Sequence, residues 1–162
     1  MTRRGLLLAA SIGLSLAACR AEPASNLSQP VRAQSAQTGL ERVPLEIRSG
    51  DRVHRFIVEV ARSSDEQARG MMFREEIGPQ QGMIFPLSPP RVASFWMRNT
   101  LIPLDMLFVR QDGTIARIAA NTVPHSEIPV TSGEPVAAVL ELGGGRAEAL
   151  GIEEGDRVSW PD

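Results

Sequence analysis

Short apolar runs cut by glycine and proline restrict this chain more than any other feature. Leu45-Glu46-Ile47-Arg48 alternates and ends in the turn residues Ser49-Gly50-Asp51, and Phe56-Ile57-Val58-Glu59-Val60 follows. That order predicts a hairpin. Met83-Ile84-Phe85 and Val92 to Met97 read as two further strands, separated by Pro86, Pro89 and Pro90. Met106 to Val109 and Thr114 to Ile118 flank Gln111-Asp112-Gly113, and an Asp-Gly turn between apolar runs predicts a second hairpin. Val136 to Leu142 is almost continuously apolar and reads as a central strand, and Arg157 to Trp160 as a closing one. Only two segments read as helices. One runs from about 64 to 72, with a capping box formed by Ser63 and Glu66. The other is Arg146 to Leu150, opened by Gly143-Gly144-Gly145 and stopped by Gly151. Strands that do not alternate with full helices exclude a doubly wound sheet. The expectation is a mainly β domain of eight or so strands, a small closed or half-closed β-barrel with two short helices. The stretch from Arg146 to Val158 resembles the helix-then-turn element of double-psi and related barrels.

The amino terminus speaks of destination. Arg3 and Arg4 precede an apolar run at residues 5–18 that ends at Cys19. A membrane-spanning helix needs about 20 apolar residues, so the run has the form of a signal peptide. Leu16-Ala17-Ala18-Cys19 resembles the lipobox of bacterial lipoproteins, in which the cysteine is diacylated and becomes the first mature residue. Thr2 to Leu7 also resembles a twin-arginine export signal, and Sec and Tat export both stay open. Arg20 follows the cysteine, where Asp would mark inner-membrane retention in proteobacterial lipoproteins, so an outer-membrane anchor facing the periplasm is expected. Residues 20–42, rich in Ala, Ser, Gln and Pro, read as a flexible tether, and residues 43–162 as one domain.

Composition narrows the chemistry. Formal charge is −2, and loss of residues 1–18 would remove Arg3 and Arg4 and no acid, leaving −4. Neither value suits a nucleic-acid binder built on a basic face. With no lysine or tyrosine and a single cysteine assigned to lipidation, the chain has no Lys nucleophile, P-loop lysine, catalytic tyrosine or free thiolate.

Gly82-Met83-Ile84-Phe85, Arg69 to Arg74, the run Phe95-Trp96-Met97-Arg98-Asn99-Thr100-Leu101-Ile102-Pro103-Leu104-Asp105 and the glycine-rich element after Glu141 carry a family resemblance. Over roughly residues 44–160 the chain resembles domain-of-unknown-function family 192, small prokaryotic proteins that are often exported. The resemblance implies no established activity. Family members often have Lys where this chain has Arg98.

Candidate site residues are Arg69, Trp96, Asn99, Thr100 and Asp105. Polar groups amid the apolar residues from Trp96 to Leu104 must be hydrogen-bonded if buried. They read either as a polar site at a barrel mouth or as a turn in which Asp105 accepts backbone N–H bonds. As a site, Asp105 would be a base, a ligand-binding carboxylate or a metal ligand. Paired-acid chemistry would need a second carboxylate, for which Glu75, Glu76 and Glu141 are available. Arg69 reads as an anion-binding fork, as a solvated helix end complementing the dipole, or as an internal partner of Asp105. Trp96 offers a stacking surface if exposed and a core residue if buried. Met71, Met72, Met83, Met97 and Met106 could bind Cu(I), but they lie inside apolar strands as core fillers, and His54 and His125 share no ligand spacing. No metal site, cofactor or catalytic residue is assigned. The reading is a non-enzymatic envelope lipoprotein that binds a small ligand, glycan or partner protein. The alternative is an envelope hydrolase or transferase using Asp105.

Overall fold

A computed structural model describes residues 39–161. The segments read as a signal peptide, lipidated Cys19 and most of a tether lie outside them. Seven strands and two helices follow in the order β1 (Arg42–Ser49), β2 (Arg52–Val60), α1 (Ser64–Arg69), β3 (Gln81–Phe95), β4 (Leu104–Val109), β5 (Ile115–Thr122), β6 (Val130–Gly143), α2 (Arg146–Leu150) and β7 (Arg157–Ser159). They form one sheet in the order β5-β4-β6-β3-β2-β1-β7.

Both expected hairpins are present. Ser49 pairs with Arg52 across Gly50, whose φ of +56° supplies the left-handed residue of a two-residue turn. In the second, Asp112 Oδ1 accepts from the Thr114 backbone N–H at 2.9 Å and its hydroxyl at 2.7 Å, and Gly113 takes φ +85°. The outer strands of the sheet then meet. Thr114 bridges to Arg157, the Ile115 N–H donates to Asp156 O, and the Val158 N–H donates to Gly113 O. The sheet is thereby rolled into a half-barrel.

Alternation along the strands makes two cores. Leu45, Ile47, Phe56, Val58, Ile84, Leu107 and Leu140 fill one face. Met83, Phe85, Met97, Met106, Phe108 and Val139 fill the other. β4 and the end of β6 are buried on both faces, which is why their apolar runs are continuous.

Two expectations need correcting. The two strands expected at 83–85 and 92–97 are one, β3, because Pro86 still pairs with Ala138 and only Pro89 and Pro90 fall in the register break before Arg91. Trp96 and Met97 lie beyond its end. The first helix stops at Arg69 rather than about residue 72, since Gly70 leaves helical geometry at φ +46° and sits against the Phe85 ring. β2 and β3 are also parallel, joined through α1, a crossover the hairpin pattern did not announce. The capping box is as expected: the Glu66 N–H donates to Ser63 Oγ, and Glu66 Oε2 accepts from the Ser63 N–H.

Gly82 lies where β3 is squeezed between its neighbours. A Cβ there would stand 2.7 Å from the Glu141 carbonyl oxygen and 2.8 Å from Leu142 Cδ2. Gly82→Ala is expected to lower stability by about 2 kcal/mol through this overpacking. Urea unfolding checks it, and an unchanged midpoint would contradict the close packing.

Candidate functional site

Pro103, Asp105, Asn121 and the triple glycine form one knot. Asp105 is fully buried. Its Oδ1 accepts from the backbone N–H groups of Asn121 at 2.8 Å and Gly145 at 2.9 Å, and its Oδ2 from that of Ala147 at 2.8 Å. Two of these donors are first-turn amides of α2, whose N-cap Gly145 has no side chain to cap them. The Gly144 N–H donates to Pro103 O at 2.8 Å, and a Cβ on Gly144 would stand 2.8 Å from Asn121 Oδ1 and Pro103 Cβ. Asp105 therefore acts as a tertiary cap that welds β4, β5 and the β6–α2 turn together. The expected Arg69–Asp105 pairing is replaced by these three backbone bonds, and Asp105 lines no cavity with Arg69.

Asn99 also takes the turn reading. It adopts φ +55°, which Asn tolerates better than most residues. Its carbonyl accepts from the Phe73 N–H at 2.9 Å, and the Thr100 N–H donates to Met97 O at 3.0 Å. These bonds tie the segment after β3 to the turns after α1.

Arg69, Trp96 and Thr100 do come together. They line a cavity of about 500 Å³ between α1, the bulged half of β3 and the face of β6. Met71, Phe85, Leu87 and Phe95 supply apolar wall. Trp96 is 47% exposed and carries the Arg98 guanidinium 5.3 Å from its ring centroid. Arg69 and Arg91 stand exposed at the lining.

The cavity also contains a residue named from the sequence only as a spare carboxylate. Glu141 is 4% exposed, lines the cavity, and has no hydrogen-bond partner among the described residues. Its neighbours across the sheet are Met83 on β3 and Met106 on β4. Burial pushes its carboxyl up to about 8, and Arg74 pulls it back only in part. The Arg74 guanidinium is hydrogen-bonded to buried Glu59, which Arg42 also approaches at 3.9 Å. Glu141 is thus a buried acid outside any ion pair among the described residues, and near neutral pH it is mostly the uncharged acid. One signal could have singled it out. It is the sole charge in the apolar run Val136–Leu142, a strand already read as central.

Among the described residues, no three His, Cys, Asp or Glu side chains are grouped to hold a metal ion. Met71, Met83, Met97 and Met106 are core residues, with Met97 Sδ accepting from the Thr122 hydroxyl at 3.1 Å.

None of the functionally curated proteins matches the chain. Solved structures do, among them two crystal structures. A Sinorhizobium meliloti 1021 protein described as a "putative transcription regulator" is 39% identical, with a TM-score of 0.75, over 76% of this chain and 97% of that one. A protein of unknown function from Novosphingobium aromaticivorans DSM 12444 is 50% identical, with a TM-score of 0.76, over 77% of this chain and 89% of that one. The family model described as DUF192, uncharacterized ACR, matches residues 45–160, nearly the whole described domain. With the relatives sharing both sequence and fold across that same stretch, the chain belongs to the DUF192 family.

Proposed function

We propose that this chain is an exported envelope lipoprotein whose domain is a non-enzymatic binding module, taking a small ligand into the cavity beside Trp96. The observation that carries the binding reading is Glu141, whose buried carboxyl has no hydrogen-bond partner among the described residues and lines a cavity of about 500 Å³. A ligand entering the cavity can take up that hydrogen-bonding capacity. The catalytic alternative has less support, because both Asp105 oxygens are engaged by backbone amides. A regulator role, taken from the description of the Sinorhizobium meliloti protein, gains nothing from a formal charge of −2 if nucleic acid is its target. Export and lipidation rest on Arg3, Arg4, the apolar run 5–18 and Cys19. The periplasmic face of the outer membrane follows from Arg20.

Two experiments test the proposal. Trp96 fluorescence of the full chain is followed against a panel of glycans, nucleotides and small amphiphiles, with thermal unfolding in parallel. At least one panel member is expected to shift both signals, with the fluorescence change lost in Trp96→Phe. A silent panel would sink the binding reading. Separately, membrane fractionation with labelled fatty acid is expected to show lipid on the wild type and none on Cys19→Ala. An unlabelled wild type refutes the anchor.

A further inference from the structure

We infer that the cavity selects an amphipathic anion, a small carboxylate or phosphate ester held at its charged end by Arg69 and Arg91 with its apolar body laid along the wall of Met71, Phe85, Leu87 and Phe95. The inference rests on reading the cavity as a binding site. Three observations carry it. First, Arg69 and Arg91 form no ion pair among the described residues, although Arg42, Arg55, Arg62, Arg74 and Arg110 each have a carboxylate partner. Two guanidinium forks left uncommitted on the lining of one cavity suit a carboxylate or phosphate. Second, the wall between them and the interior is apolar, built from Met71, Phe85, Leu87 and Phe95. A hydrocarbon body is drawn out of water against such a wall. Third, Glu141 lies buried in the lining with its carboxyl free to hydrogen-bond.

The state of Glu141 sets the sign of the selection. As a neutral acid it neither repels an anion nor pairs with a cation, and its O–H can donate to an oxygen on the ligand. The charged groups around it are Arg74 from the turn after α1, Glu59 from β2 on the same sheet face, Arg42 from β1 beside Glu59, and Arg69 and Arg91 on the cavity lining. Arg42 and Arg74 are committed to Glu59. When Glu141 ionises, a negative charge appears inside the cavity that holds the anion, and affinity falls.

Calorimetric titration of the full chain with octanoate, octyl phosphate, octanol and octylamine tests this. Octanoate or octyl phosphate is expected to bind about tenfold or more tighter than octanol, and the better of the two identifies the head group. Arg69→Gln combined with Arg91→Gln is expected to remove that advantage. Both side chains are exposed, so the fold should survive, and unfolding of the double variant is checked in parallel. Anion affinity of the wild type is expected to drop as pH rises past about 8, while Glu141→Gln keeps its affinity flat. Octylamine binding as tightly as octanoate would overturn the inference, making Glu141 a counter-ion for a cation. Equal binding of octanol and octanoate would overturn it too, showing a cavity blind to charge. Both results leave the broader binding reading standing. If none of the four binds, the inference falls, and the broader reading falls with it only if the fluorescence panel is also silent.

Discussion

Asp105→Asn is expected to unfold roughly 10–15 °C below the wild type, a loss of about 3 kcal/mol or more. The carboxylate takes three backbone N–H groups on two oxygens. An asparagine has one oxygen to offer, so its amide nitrogen must face at least one of the three donors. That donor is then buried and unpaired, and the remaining bonds lose their charge assistance. Helix α2 has no side-chain cap at its N-terminus, so it and the triple-glycine turn should loosen first. Thermal unfolding with amide hydrogen exchange reads both effects. Since Asp105 does not line the cavity beside Trp96, the folded fraction of the variant should bind ligand as the wild type does. Unchanged stability with a lost ligand response would mean that Asp105 is a site residue after all.

Glu141→Gln should do the reverse and stabilise the protein, by an amount that grows with pH. In the unfolded chain Glu141 ionises near 4.5, and in the folded protein near 8. Between those values the native state holds a proton that the unfolded state has released. Stability therefore falls as pH rises through that window, by up to about 5 kcal/mol, with water entering the cavity reducing the figure. Glutamine matches the neutral acid in shape and has no proton to lose. The two proteins should have similar stability at pH 4 and diverge steadily toward pH 9, where the variant unfolds at a temperature higher by roughly 10 °C or more. Parallel curves over that range would show that Glu141 is an ordinary exposed carboxylate. A buried acid whose removal stabilises the fold is the pattern expected of a residue kept for function rather than for stability.

How much of this was legible in the residues depended on whether the signal was local. The hairpins at Gly50 and Gly113, the capping box of Ser63 and Glu66, and α2 between its glycines were all readable, because each is decided by a few adjacent residues. The β3 segment was not. Its prolines are the usual mark of a strand end, and only the pairing with β6 shows that Pro86 stays in the ladder while Pro89 and Pro90 occupy a bulge. The parallel β2–β3 pair was hidden for the same reason, since pairing direction is set by where α1 packs. The motif from Trp96 to Asp105 was recognisable as a unit but divides in space. Trp96 and Thr100 face the cavity, whereas Asp105 faces the opposite core and grips α2. Linear proximity suggested one rim, and the turn at Asn99 together with the alternation of β4 separates it. Glu141 was visible as a charge in an apolar strand, but its importance appears only when two strands and the turn after α1 surround it.

The contact between β5 and β7 bears on how the chain is made. Strand β7 is three residues long and lies at the end of the domain, yet it pairs with β1 at the beginning and touches β5 in the middle. A chain truncated before Arg157, or still awaiting those residues during synthesis, presents the edge of β1 with its backbone groups unpaired. Such an edge is a template for strand addition from a second molecule. The last few residues thus act as a guard against self-association, and their loss would be felt as aggregation before it was felt as unfolding.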